Sequence, residues 1–285
     1  MPVAAWRCVT GRLWLRSSRR YVLSIGKRTF QWLILSQVVL YSLDSPKGSA
    51  PHLTKQASYR TSTAPIDITV TGNVIAIADL MKSLSLVQYK PGRGGLPDTL
   101  EEIARHYETT WATAVAQIDD SSYLESDAEG NLIVLNHEAT SFSDEDRRRL
   151  RVTSEILLGE MVNRIRRIDV QPTPDAVVIP RAFLATVEGS IWLFALISEG
   201  KQDLLMRLQE NMASMVQSPG HVPFNRYRAF KTSVREAEEP SRFVDGELIE
   251  RFLDCDAGLQ ERIVQGLSVD VEYVRSMVES LKRLH

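Results

Sequence analysis

The sequence predicts a mainly β fold that is followed by a small α-helical domain. Three observations support this prediction. Hairpin-type turns separate short apolar stretches in the middle of the chain, helical periodicity of apolar residues dominates only after Gly200, and the composition is that of a globular protein. Apolar residues make up 44% and charged residues 25% of the 285 residues, which is enough for one large core or two smaller ones.

The chain starts with a basic segment, residues 1–37, that the sequence assigns to no element of the fold. Between Met1 and Leu43 there are seven Lys or Arg residues and no Asp or Glu. This composition is typical of a mitochondrial transit peptide, and an irregular or strand-rich start of the chain is the alternative. The apolar run at 30–43 is too short to span a bilayer comfortably, so no membrane partner is expected.

Three similar turns define the predicted β region, residues 38–200. Each has apolar sequence on both sides, and they are Thr71-Gly72-Asn73, Glu129-Gly130-Asn131 and Glu188-Gly189-Ser190. Gly-Asn and Gly-Ser are frequent in tight hairpins. Their glycines follow one another at spacings of 58 and 59 residues. A hairpin that recurs at a nearly constant period predicts radial blades or a stacked array.

A glycine-rich stretch within residues 90–107 raises the question of a phosphate-binding loop. It lacks both the Gly-Lys-Ser/Thr ending of a P-loop and the GxGxxG pattern, so a long solvent-exposed loop is predicted instead. Asp98 with Glu101 resembles a helix capping box. The apolar spacing that follows is typical of a helix, with members Leu100, Ile103, Ala104 and Tyr107.

Amphipathic helices are predicted within residues 201–285. The first covers 201–218, is stopped by Pro219-Gly220, and has an apolar face formed by Leu204, Leu205, Leu208, Met212, Met215 and Val216. An acidic turn, Asp245-Gly246-Glu247, precedes a short apolar helix, and Asp256 is placed to cap the next one. The last helix has an apolar face formed by Val274, Met277, Val278, Leu281 and Leu284.

The sequence contains no motif that demands catalysis, a metal or another cofactor. The five histidines show no HExxH or HxH spacing, and no GxSxG or kinase motif appears. Cys8 and Cys255 lie at opposite ends of the chain, so no disulfide framework is expected. This cysteine usage favours a reducing compartment, the cytosol or nucleus. Asp119-Asp120 is interpreted as a solvated turn.

Two sets of residues are considered for partner binding. Arg147-Arg148-Arg149 with Arg151 is the densest basic run, but acidic residues precede it and the net charge is −2, so a solvated face is preferred over nucleic-acid contact. Arg105 and Trp111 lie between predicted strands and belong to residue types that dominate interface hot spots. Core packing is the alternative for Trp111.

Four stretches together resemble the family of the cleavage and polyadenylation specificity factor (CPSF) A subunit. They are GNVIAIADLMKSLSLVQYKP, EEIARHYETTWATAVAQIDDSSYL, FVDGELIERFL and ESLKRLH. The resemblance runs from about Val38 to His285, and the ADLMKS and LKRLH sequences favour the UV-damage-binding branch over the two RNA-processing branches. It implies a partial β-propeller, the last blades of a third propeller, over 38–200, a helical domain over 201–285, and no counterpart for 1–37. It also implies a strand at 99–107 and an architectural role for the acidic turn.

The resemblance implies a non-catalytic adaptor that links WD-repeat substrate receptors to a cullin-4 RING ubiquitin ligase in DNA repair. An RNA-processing subunit of the same family is the alternative. The implied location is the nucleus, with the cytoplasm as an alternative, and contact with damaged DNA or RNA would be indirect. The basic N-terminal segment keeps mitochondrial targeting as a minor alternative. The cullin-binding propeller has no counterpart in this chain. The implied receptor-facing residues are Leu80, Lys82, Arg105 and Trp111, and Lys82 stands where the family has Arg.

Overall fold

The computed structural model describes residues 3–8, 23–24, 29–34, 36–44 and 52–284. The described strands are β1 Val3–Cys8, β2 Leu23–Ser24, β3 Thr29–Ile34, β4 Gln37–Asp44, β5 His52–Arg60, β6 Pro65–Thr71, β7 Val74–Asp79, β8 Ser83–Lys90, β9 Thr99–Arg105, β10 Ala112–Gln117, β11 Ser122–Asp127, β12 Asn131–His137, β13 Leu150–Leu157, β14 Val162–Arg167, β15 Val178–Thr186, β16 Ile191–Ile197 and β17 Phe243–Asp245. The described α-helices are α1 Asp144–Arg147, α2 Gln202–Met215, α3 Phe224–Arg228, α4 Gly246–Glu250, α5 Ala257–Val264 and α6 Val271–Lys282.

The chain forms two compact units, which are described separately. The hairpin unit comprises Leu13–Ala128 and Leu135–Arg151, and the helix-bearing unit comprises Met1–Arg12, Glu129–Val134 and Val152–His285. Antiparallel hairpins without a closed barrel, followed by a small set of helices, confirm the predicted fold class for the described residues. The predicted domain boundaries at residues 37 and 200 stay predictions. Most of the basic segment 1–37 lies outside the described residues, as does the side chain of Cys8.

The hairpin unit contains two four-stranded antiparallel sheets, in the orders β2-β3-β4-β5 and β6-β7-β8-β9, and the hairpin of β10 with β11. The predicted turn at Gly72 joins β6 to β7, and its φ of 60° is a conformation that glycine adopts without strain. Apolar side chains from adjacent strands form one core, with members Val38, Leu40, Ala57, Ile68, Ile75, Ile77, Val87 and Leu100.

The helix-like spacing at 99–107 belongs to a strand, as the resemblance implies. In the pairing of β8 with β9, Ala104 lies opposite Leu86 and Glu102 opposite Val87, so Ile103 is an extra residue in β9. Such a bulge breaks the two-residue alternation and leaves Leu100 and Ala104 buried four residues apart, the spacing of a helix.

The capping-box prediction at Asp98 and Glu101 is wrong, because no helix follows these residues. Asp98 instead accepts hydrogen bonds from the hydroxyl of Tyr89 at 2.7 Å and from the backbone N–H of Gly92 at 2.8 Å. These bonds close the loop at 91–98, which is exposed over most of its length as the sequence predicted.

The helix-bearing unit contains a five-stranded sheet in the order β14-β15-β16-β1-β17. Its pairs are antiparallel except β1 with β17. The arginine-rich β14 lies at one edge of this sheet, where cations discourage pairing with other chains. The turn at 129–131 is hydrogen-bonded to the backbone of Lys231. The side-chain amide of Asn131 donates to the Lys231 carbonyl at 2.8 Å and accepts from the Lys231 N–H at 3.1 Å.

The helices of this unit share one apolar core. Its helical members include Leu205, Leu208, Met212, Leu248, Ile249, Phe252, Ile263, Val274, Val278 and Leu281. Two residues predicted on apolar faces are instead exposed. Met215 is the last residue of α2 and Leu284 lies beyond α6, so neither is followed by a further helical turn that would cover it. Among the described residues, none of the helices combines the length and the apolar character that crossing a bilayer requires.

Candidate partner-binding surface

Two adjacent segments of the hairpin unit expose apolar side chains. The turn 80–82 joins β7 to β8, and the segment 105–111 includes the end of β9 and leads into β10. We call these two segments together the anchor surface. The exposed fractions are 36% for Leu80, 54% for Trp111, 41% for Met81 and 60% for Tyr107. Trp111 is therefore not a core residue.

The two segments lie side by side because backbone hydrogen bonds join them. The N–H of Ser83 donates to the carbonyl of Thr110 at 3.3 Å, and the N–H of His106 donates to the carbonyl of Leu84 at 2.9 Å. These bonds place the turn that carries Leu80 and Lys82 next to the segment that carries Trp111.

The turn 80–82 is also hydrogen-bonded to Thr63 and Ala64, which directly precede β6. Asp79 accepts hydrogen bonds from the Thr63 backbone N–H at 2.9 Å and from the Thr63 hydroxyl. The N–H of Leu80 donates to the carbonyl of Ala64 at 2.8 Å, and the N–H of Met81 donates to the Thr63 hydroxyl at 3.2 Å. A turn with so many backbone anchors presents its side chains in a fixed arrangement.

A buried polar cluster lies beneath the anchor surface, and sequence reasoning missed it. The carboxylate of Glu125, on β11, accepts hydrogen bonds from the Ser83 hydroxyl at 2.7 and 2.9 Å and from the Thr110 hydroxyl at 2.7 Å. The Ser83 oxygen also lies 2.7 Å from Nδ1 of His106. All four side chains are buried. Burial raises the pKa of Glu125 to about 7, and the carboxylate of Asp127 acts in the same direction.

Arg105, within the anchor surface, forms an ion pair with Glu102. Its guanidinium donates to both carboxylate oxygens of Glu102, at 2.7 and 2.5 Å, and the hydroxyl of Tyr59 donates to the same carboxylate. The hydrogen bonds that the guanidinium donates to Glu102 raise the pKa of Arg105 further above its usual value. About a third of the Arg105 side chain remains exposed.

Two of the arginines at 147–151 form ion pairs within the chain. Arg147 pairs with Asp144, and Arg151 pairs with Asp146 at 2.6 Å. Arg148 and Arg149 are exposed. The carbonyl of Arg148 accepts a 2.9 Å hydrogen bond from the N–H of Arg105, so this pair of arginines borders the anchor surface.

Because half of this basic run is neutralised within the chain, we expect only weak, nonspecific binding to nucleic acid. Replacing both Arg148 and Arg149 by Ser should lower the salt slope of DNA binding by no more than about 2, since each phosphate contact contributes about one unit. Fluorescence anisotropy with a labelled duplex over a range of salt concentrations measures this slope. If the slope stays steep after the double substitution, the interpretation that only Arg148 and Arg149 of this run are available for phosphate contact is contradicted.

The acidic turn at 245–247 has a structural role, as the sequence predicted. Asp245 caps α4 by accepting a 2.9 Å hydrogen bond from the N–H of Glu247. The same aspartate accepts a 2.6 Å hydrogen bond from Arg228, which also donates to the carbonyl of Leu158 at 2.8 Å and to Glu247 at 3.1 Å. The side chains of Arg228 and Asp245 are 3% and 5% exposed. A buried carboxylate requires such a partner, but no local motif in the sequence points to Arg228.

Comparison with known proteins gives a consistent family assignment. DNA damage-binding protein 1b of Arabidopsis thaliana is 36% identical over 217 residues, which are 75% of this chain and 20% of that protein. DNA damage-binding protein 1 of Solanum lycopersicum is 33% identical over 256 residues, 88% of this chain and 23% of that protein. The protein of that name from Schizosaccharomyces pombe is 32% identical over 235 residues, 80% of this chain and 21% of its own length.

The chain spans about a fifth of the length of these curated relatives. The family model of the CPSF A subunit region matches residues 34–254, which include every strand from β5 to β17, the anchor surface and the acidic turn. The resemblance found in the sequence is thereby confirmed, and the chain belongs to the CPSF A subunit family.

Proposed function

We propose that the chain is the receptor-binding part of a non-catalytic adaptor of the DNA damage-binding type. In this proposal the adaptor links WD-repeat substrate receptors to a cullin-4 RING ubiquitin ligase in the nucleus, in the service of DNA repair. The observation that carries the proposal is the exposure of Trp111 on a surface that backbone hydrogen bonds hold in place. The names of the relatives support the damage-binding branch of the family.

The physical character of the anchor surface fits a protein partner. Exposed Trp, Tyr and Arg side chains are those that contribute most to protein–protein binding energy. Leu80 and Met81 add apolar area to Trp111, and Lys82 adds a cation at the rim. The partner meets a surface that is already ordered, so little conformational entropy is lost when it binds.

The cullin end of the proposed bridge would come from sequence outside this chain. The chain corresponds to about a fifth of each relative, so its own share of the function is the receptor contact. Any contact with damaged DNA would then be indirect, through the receptor that the chain holds.

The proposal is tested by an immunoprecipitation from the source cells with an antibody to α5 and α6. The mass of the recovered protein and the identity of its partners are read by mass spectrometry. We expect WD-repeat proteins and a cullin together with a protein several times heavier than 32.2 kDa. Recovery of polyadenylation or splicing factors would support the RNA-processing alternative. A protein at the mass of this chain, without a cullin, would contradict the bridging role.

A further inference from the structure

We propose that Glu125 is a positioning residue for partner binding, whose buried carboxylate ties the turn that carries Leu80 and Lys82 to the segment that carries Trp111. This inference rests on the proposed function and concerns what holds the same surface in position. Its basis is the position of Glu125, which is fully buried on β11. One hydroxyl donor, Ser83, directly follows the turn 80–82, and the other, Thr110, lies within the segment 105–111.

The Ser83 hydroxyl makes the cluster a continuous chain of hydrogen bonds. It has one proton and lies within 2.7 Å of both a Glu125 oxygen and Nδ1 of His106. When Glu125 is ionised, Ser83 donates to the carboxylate and accepts from a protonated Nδ1. When Glu125 is protonated, the carboxyl group donates to Ser83, and Ser83 donates to an unprotonated Nδ1. Both states keep the bonds, with a different tautomer of His106.

Ser83 is held in an uncommon backbone conformation at this point. Its φ is 57°, in the left-handed region that few residues other than glycine adopt. A residue stays in that region only when its surroundings hold it there, and the hydroxyl bonds to Glu125 and His106 are part of those surroundings. Loosening the cluster is therefore expected to change the turn 80–82 as well as the segment 105–111.

The burial of Glu125 makes the packing of the two segments over it depend on pH. The ionisable groups beside it are His106, across the Ser83 hydroxyl, and Asp127, two residues along β11. Burial raises the pKa of Glu125 from 4.5 to about 7. We call the arrangement in which the two segments cover Glu125 the closed one. It binds the proton more tightly than an opened arrangement, in which water reaches the carboxyl group. Closure is favoured most below pH 4.5 and is progressively lost as the pH rises to about 7. Local opening should increase about thirtyfold between roughly pH 5.5 and pH 8.

Hydrogen exchange tests this inference without any partner. Protection factors are measured by mass spectrometry for peptides covering 80–86 and 106–112 at the two pH values, with β16 as the internal reference. In the unaltered chain we expect protection of both peptides to fall about thirtyfold from the lower to the higher pH. In Glu125→Gln, which has the same shape and an acceptor oxygen but lacks the carboxyl group that binds the proton, protection should change much less with pH. The same pH dependence in both proteins would overturn the proposal.

A second variant separates positioning from general stability. Thr110→Val has nearly the same shape as the original residue and removes only the donor to Glu125. We expect faster exchange in 106–112 at both pH values and unchanged exchange in β16. Equal loss of protection in β16 would mean that the cluster stabilises the whole chain rather than the anchor surface.

Binding measurements distinguish this inference from the proposed function. A purified WD-repeat protein of the substrate-receptor type is titrated against the unaltered chain and against Glu125→Gln. Affinity should weaken by as much as about thirtyfold between the two pH values for the unaltered chain and change much less for the variant. If no such protein binds either form, the proposed function fails, while the exchange experiment still decides the role of Glu125.

Discussion

Replacing Arg228 by Met is expected to lower the free energy of unfolding by about 3–5 kcal/mol, the usual cost of removing one partner of a buried ion pair. The substitution keeps most of the aliphatic volume but leaves the buried carboxylate of Asp245 without its cation. It also leaves the carbonyl of Leu158 without the donor that lies 2.8 Å away. Urea denaturation followed by circular dichroism measures the loss.

Two further variants identify the cause. Lys231→Met removes a cation from the exposed pair of Lys231 with Glu236 in the same unit, and should cost less than about 1 kcal/mol. Adding Asp245→Asn to Arg228→Met removes the unpaired charge and should recover part of the stability, because an amide oxygen can still cap α4. If Arg228→Met is no more harmful than Lys231→Met, the buried pair does not support the acidic turn as described.

Trp111→Ala is expected to weaken binding of a WD-repeat receptor by at least about 2 kcal/mol, roughly thirtyfold in Kd. The indole is more than half exposed, so its loss removes contact area from the anchor surface and little from the core. The free energy of unfolding should therefore change by less than about 0.5 kcal/mol. Isothermal titration calorimetry and urea denaturation of the same preparation separate the two effects.

Leu96→Ala is the matched control for this prediction. Leu96 is 72% exposed in the same unit, but it lies in the loop between β8 and β9, at the opposite end of β8 from the turn 80–82. Its removal should leave receptor binding unchanged. Equal effects of the two substitutions would indicate a general loss of apolar surface, and normal binding by Trp111→Ala would remove the anchor surface from the proposed function.

Local signals in the sequence were sufficient for the hairpins and most of the helix caps. Glycine turns such as that at Gly72 need only a short stretch of chain to specify them, and Asp256 and Asp245 cap the helices that directly follow them. Periodicity failed at Ile103, because one extra residue in β9 imitates a helical spacing and only the pairing with β8 reveals it.

The polar contacts that organise the candidate site could not be predicted from local sequence. Glu125 receives its hydrogen bonds from residues 15 and 42 positions earlier, and Arg228 reaches a carbonyl about 70 residues away. Such contacts depend on which strands become neighbours, so no short motif encodes them. The four predicted receptor-facing residues came from the family resemblance, and their role in binding stays a prediction.

The most direct test of the receptor-binding role is a hydrogen-exchange comparison of the chain alone and in complex with a WD-repeat substrate receptor. We expect added protection in the turn 80–82 and in the segment 105–111, with little change in α2, α5 and α6. Protection confined to the helices, or to the arginine run at 147–151, would contradict the placement of the receptor contact on the anchor surface.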